Sequence, residues 1–273
     1  MAPASLGRAV ESARVASVQG PAWIEGILKQ DGRARTMKKG TAGIVVLGLL
    51  VAGALWADGT TVTEAETGKS FEVHKTIGGQ DHTLIGVGAR EAYGSFNVYA
   101  AGMYIQTDSG VRSWQRFLEN QAASFVTNGQ VNWSALKDSN ALYQWIYSGS
   151  FGKGIWMKFV RDVTGQQVVD AYKESLSRSI DDYATAVTQS PLKDFMEAAN
   201  HDVASGQEML LWTRGSKVYL KSGTRDVVEI PDATSIIRPI WRIWFGPNPI
   251  QVPLRRGMVN NIENLGGPAA AAP

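Results

Sequence analysis

The sequence predicts an α+β domain in which an antiparallel sheet is covered by helices on one face. Runs rich in β-branched and aromatic residues alternate with pairs of helices, not with one helix per strand, which argues against a parallel crossover sheet. The strand runs are separated by short Gly-containing turns, the chemistry of antiparallel neighbours. The 273 residues, 44% apolar and 19% charged, supply enough core for one large domain with tails.

In chain order, the first signal is "MKKGTAGIVVLGLLVAGALWADG", beginning at Met37. Two lysines precede an uncharged apolar run with a small-residue exit, the layout of a secretory signal. The dense apolar part, Ile44 to Trp56, is short for a bilayer span, which favours cleavage over a type II anchor. Residues 1–36 are read as a leader or a mis-assigned upstream segment, 37–57 as signal peptide or anchor, 58–265 as the domain and 266–273 as a flexible tail. The domain is expected to be exported, periplasmic or extracellular, and to meet a membrane only through the N-terminal segment.

Strands are expected at Phe71–Ile77, Leu84–Glu91 and Phe96–Ile105. A helical region with Trp and Tyr follows from Val111 to Tyr147, interrupted near "TNGQVN". Ile155–Val163 is a strand running into a helix opened by a Thr164/Gln167 capping box, with Val169, Tyr172, Leu176, Ile180 and Tyr183 as its apolar stripe. Ser190-Pro191 opens a second helix as N-cap and first-turn proline, striped by Leu192, Phe195, Met196, Ala199 and Val203. Strands at Glu208–Thr213, Lys217–Lys221 and Asp226–Ile230 are joined by "RGS" and "SGT" turns. Asp232 caps a helix carrying Ile236, Ile240, Trp241 and Trp244, which Gly246-Pro247 ends. Leu254, Met258, Ile262 and Leu265 stripe the last helix.

Several chemistries drop out. With no cysteine, thiolate catalysis, disulfides and Cys-ligated metal sites are excluded. His74, His82 and His201 have no metal-ligand spacing, and no cofactor is expected. A net charge of +2 on scattered basic residues leaves no nucleic-acid footprint. "SGSFGKG", Ser148 to Gly154, resembles a phosphate loop but lacks its ending and precedes a strand, so it reads as a turn. "GVG" at Gly86–Gly88 is not followed by a helix, and no G-x-S-x-G elbow is present. Asp181-Asp182 reads as solvated charge, and Trp114, Trp133, Trp145 and Trp156 as core or the floor of an apolar cleft.

Arg90 is the residue that asks for an explanation. With Gly94-Ser95 as a two-residue turn, residue 93 pairs with 96 and Arg90 falls opposite Tyr99. Both side chains then share one face with Gly86, Gly88 and Ala101. Small residues beside a guanidinium and a phenol predict room for an anionic group above the sheet. The ordinary alternative is an arginine paired with a nearby acid such as Glu91 or Asp108.

"LIGVGAR", "NVYAAGMYIQ", "MKFVRDVTGQQVVDAYKESL", "LLWTRGSKVYLKSG" and "IWFGPNPIQVPLRRGM" together resemble the chalcone isomerase superfamily, in order from about Thr60 to Asn264. They are most similar to its bacterial, signal-bearing members. The resemblance implies an open-faced β-sandwich, a large antiparallel sheet with helices layered on one face. It also implies four catalytic positions in the plant isomerases: an arginine, a strand threonine, and a helical tyrosine and asparagine. Here Arg90 keeps the first, and Tyr99, Val168 and Ser175 stand at the others, so little remains to orient a flavonoid ketone. The superfamily's fatty-acid-binding branch uses an arginine and a tyrosine to hold a carboxylate, which Arg90 and Tyr99 match in type.

Three functions follow from this reading. The first is a non-catalytic binder of a small apolar carboxylate such as a fatty acid, through Arg90 and Tyr99. The second is an isomerase acting on an unsaturated ketone of chalcone type. The third is a partner-binding protein without a ligand.

Overall fold

The computed structural model describes residues 60–92 and 96–267. The expected leader 1–36, the expected signal or anchor segment 37–57, residues 93–95 and most of the expected tail lie outside the described residues. No helix among the described residues is long and apolar enough to cross a membrane.

The frame is a seven-stranded, wholly antiparallel sheet. Its strands are β3 (His74–Ile77), β4 (Gln80–Ala92), β5 (Phe96–Gln106), β8 (Lys153–Phe159), β9 (Glu208–Arg214), β10 (Lys217–Ser222) and β11 (Val228–Ile230), in spatial order β11-β10-β9-β8-β5-β4-β3. The expected Phe71–Ile77 strand is two pieces. β2 (Ser70–Glu72) leaves the sheet to pair with β1 (Thr61–Thr63), a strand the sequence pattern did not mark. This hairpin lays Phe71 over the far face, against Leu84, Ala100, Tyr104, Trp212 and Tyr219. Gly102 makes room for it, since a Cβ there would lie 2.7 Å from the Phe71 ring.

Helices cover the other face, as expected. They include α1 (Thr107–Asn120), α2 (Trp133–Lys137), α3 (Asn140–Ser148), α4 (Gly165–Ser177), α5 (Tyr183–Ala186), α6 (Leu192–Ala199), α7 (Thr234–Phe245) and α8 (Val252–Gly257). A small hairpin, β6 (Val126–Thr127) with β7 (Gln130–Val131), accounts for the break at "TNGQVN". Inward residues of alternate strand positions, Tyr99, Ala101, Met103, Ile155, Met157 and Leu211, pack against these helices as the main core. Trp114, Trp133 and Trp145 are core stacks, whereas Trp156 stands on the opposite face beneath Lys75.

Several boundaries differ from the sequence expectation. The Thr164/Gln167 capping box is formed, but α4 ends at Ser177 and Tyr183 opens the separate turn α5. Helix α4 buries Val168 in preference to Val169. Ser190 does not cap α6; its hydroxyl donates to Asp194, and Pro191 takes the cap position. Asp232 does not cap α7 either: it holds a left-handed turn at φ 49°, and Ala233 precedes the helix. The last stripe is divided between α8 and a 3-10 turn at Ile262–Leu265, although Leu254, Met258, Ile262 and Leu265 are all buried.

Candidate functional site

The β4–β5 register places Arg90 directly opposite Tyr99. The two-residue turn does not produce it, because Ala92 pairs with Phe96 and the register shifts between Arg90 and Glu91. Val98 is the extra residue, and its bulge restores the Arg90–Tyr99 pairing. Gly88 faces Ala101 and Gly86 faces Met103, so the shared face is the expected one.

The expected room above that face is not there. A Cβ on Gly86 would lie 2.4 Å from the Gly257 carbonyl and 2.5 Å from the Asn260 nitrogen, and one on Gly88 would lie 2.9 Å from the Leu254 carbonyl. The glycines admit the backbone of α8 and the residues after it, not a ligand. A second bulge, between Leu84 and Gly86, fixes this contact: the Asn261 N–H donates to the Ile85 carbonyl at 2.9 Å and the Asn264 amide to Leu84 at 3.0 Å.

The open space lies one step along, between the sheet, α4 and α7. Arg90 and Tyr99 stand on its wall, and the rest is mainly apolar, with Val98, Phe159, Val168 and Ile243 among the lining. The cavity measures about 60 Å³, far below the roughly 300–1,000 Å³ of an occupied small-molecule site. As it stands the cleft holds no more than a small group, and Pro239 inside α7 removes one backbone hydrogen bond from that helix.

Arg90 is 6% exposed and Tyr99 9%. The guanidinium donates to the Glu91 carbonyl and, at 3.2 Å, to Gln251 Oε1, which also accepts the Glu91 N–H at 3.0 Å. Burial pulls the Arg90 pKa down, and the nearby acidic groups Tyr99, Glu174 and Glu91 act against it. Burial pushes the Tyr99 phenol up, opposed by Arg90 and by the Trp244 indole N–H, which donates to its oxygen at 3.4 Å. Arginine keeps its proton in proteins, and a phenol pushed above its ordinary value is neutral at neutral pH.

Residues matched to the isomerase positions take different roles. Val168 lines the cavity with no polar group to offer, and Ser175 is buried two turns further along α4. Between them Tyr172, read from sequence as plain core, also lines the cavity and points its hydroxyl at the Met209 sulfur, 3.8 Å away. Burial raises its pKa strongly. Tyr172, Trp244 and Gln251 were missed as site residues. The first two carried only a helical hydrophobic signal, and Gln251 is 161 positions from Arg90 and had none.

Two other candidates resolve as structure. In "SGSFGKG", Lys153 is 1% exposed and donates to the carbonyls of Ile146 and Gly149 at the end of α3, so its side chain is a buried cap on that helix and the segment is not a phosphate loop. His82 is buried with its ring bonded to the Gln80 carbonyl, and no group of metal-ligating residues exists among the described residues.

Comparison with known proteins follows the same geometry. Residues 136–260 match the family model described as chalcone isomerase-like. The crystal structure of a fatty-acid binding protein from Arabidopsis thaliana superposes with TM-score 0.55 at 18% identity, covering 76% of this chain and 98% of that one. No curated protein matches in sequence. Arg90 and Tyr99 precede the matched segment, so their placement comes from the β4–β5 register. Residues 136–260 are thus similar to the chalcone isomerase-like family, and the antiparallel, helix-covered fold is the one this chain shares with the fatty-acid binding protein.

Proposed function

We propose that the protein is a non-catalytic binder of an amphipathic carboxylate of fatty-acid type, held by Arg90 and Tyr99. The observation that carries this is a buried guanidinium on the wall of an otherwise apolar cleft. A desolvated cation there favours an anionic head, through charge-assisted hydrogen bonds in a low-dielectric setting. Tyr99 adds a neutral donor whose proton has no acceptor among the described residues. In this reading α4 and α7 part to admit the chain, and each methylene moved from water to the cleft gains about 0.8 kcal/mol to offset that movement. The fatty-acid binding protein of the same fold supports this reading over an isomerase, as does the absence of a polar side chain at Val168.

The test is to purify the protein without detergent, denature it and identify released molecules by mass spectrometry. Stoichiometric fatty acid that disappears in Arg90→Ala is the expected result. An empty wild-type protein that takes up no added fatty acid contradicts the reading. We also infer export, from the basic pair and apolar run at 37–57. An intact mass retaining residues 1–57 in protein from the exported fraction would contradict cleavage.

A further inference from the structure

We propose that Gln251 is an internal occupant of the head-group seat and sets which ligands open the cleft. The inference rests on the acid-binding reading above. Gln251 Oε1 accepts from Arg90 at 3.2 Å and from the Glu91 N–H at 3.0 Å, so one oxygen closes on a guanidinium donor and a backbone donor together. This is the position a ligand carboxylate oxygen takes when it meets the same two donors. The bulge at Arg90/Glu91 creates the seat, because the Glu91 N–H there turns to Gln251.

An amide oxygen is a neutral acceptor. A carboxylate brings a full negative charge and a second oxygen, so it gains from the exchange. A neutral ketone or alcohol gains nothing it does not displace. Gln251 therefore makes the site selective for acids, because any ligand must first outcompete an amide.

The surroundings fit a side chain that can leave. Gln251 is half-exposed and has no capping hydrogen bond to α8, whose first turn carries Pro253. Its neighbour Ile250 lines the cavity and is held in place by its N–H on the Ile243 carbonyl at 2.7 Å. Rotation of the Gln251 side chain into water thus frees the seat while the backbone stays.

The experiment is titration of dodecanoate into wild type, Gln251→Ala and Gln251→Glu, with melting temperatures at neutral and acid pH. Gln251→Ala empties the seat and should bind about tenfold more tightly, since the competing state is removed. Gln251→Glu supplies a tethered carboxylate and should bind at least about tenfold more weakly. Its melting temperature should exceed that of Gln251→Ala at neutral pH, the gap closing as the new carboxylate is protonated. Unchanged or weaker binding by Gln251→Ala overturns the competitor role. A Gln251→Glu protein without the pH-dependent gap overturns the seat itself. If that gap is present and none of the three proteins binds dodecanoate, the seat stands, but the acid-binding reading fails and this proposal falls with it.

Discussion

Replacing Gly86 with alanine tests how the C-terminal segment is seated on the sheet. Gly86 has φ 154°, and an added Cβ would meet Gly257 O at 2.4 Å, Asn260 N at 2.5 Å and Met258 C at 2.6 Å. All three are backbone atoms, so no side-chain rotation relieves the overlap. The segment must retreat by about 1 Å, from 2.4 Å to the 3.4 Å at which ordinary contact begins. That movement pulls on the Asn261–Ile85 hydrogen bond. The unfavourable backbone conformation costs about 1–3 kcal/mol and the overpacking a further 1–3, roughly 2–6 in all. Gly79→Ala is the control: φ there is 76°, with no atom within 4 Å of the added Cβ, so only the backbone cost applies. Urea unfolding of both variants, compared at an unchanged slope, separates the two contributions. Equal losses in Gly86→Ala and Gly79→Ala would refute the seating argument.

Further outcomes follow from other parts of the molecule. Burial holds the Lys153 amine at about 7, below the ordinary ammonium range. Above pH 7 the unfolded chain therefore carries a proton that the native state lacks, and stability should rise with pH until the unfolded amine also titrates, near pH 10. Lys153→Met should lose that rise in urea midpoints taken at pH 7 and about pH 9, and parallel curves would contradict it. Thr164→Ala removes the capping box and should cost about 1 kcal/mol, read from the same unfolding curves; no loss would mean the box contributes nothing. Tyr99→Phe leaves the buried Trp244 N–H without its acceptor and should cost about 1–3 kcal/mol, whereas a neutral substitution would show that the 3.4 Å contact carries no weight.

The fold was legible where periodicity and turn chemistry act locally. The β-rich run of β5, the Thr164 capping box and the "RGS" hairpin are all set by neighbours within a few residues. Boundaries failed where tertiary contacts decide. Phe71 leaves the sheet because Gly102 opens a place for it, and the last helix breaks where its residues dock on the Leu84/Gly86 bulge. Bulges account for the site in the same way. The Arg90–Tyr99 pairing was read correctly although the turn that was to produce it was not, because the extra residue Val98 compensates for the longer loop. The glycines on that face were read as ligand space, whereas a backbone occupies it. Gln251 reaches Arg90 only through the path of the entire chain, and no spacing rule carries that information.

The most direct test of the account is the preference of the cleft for charge. Dodecanoate and dodecanol carry the same chain, so the hydrophobic gain is shared and the difference in affinity reports the head group. Titrated into wild type and Arg90→Met, which keeps much of the apolar stem, the two ligands should separate by at least about tenfold in wild type, in favour of the acid. In Arg90→Met the two affinities should converge. Equal binding of acid and alcohol by wild type, or a preference for the acid that survives Arg90→Met, would contradict the assignment of Arg90 as the anchor.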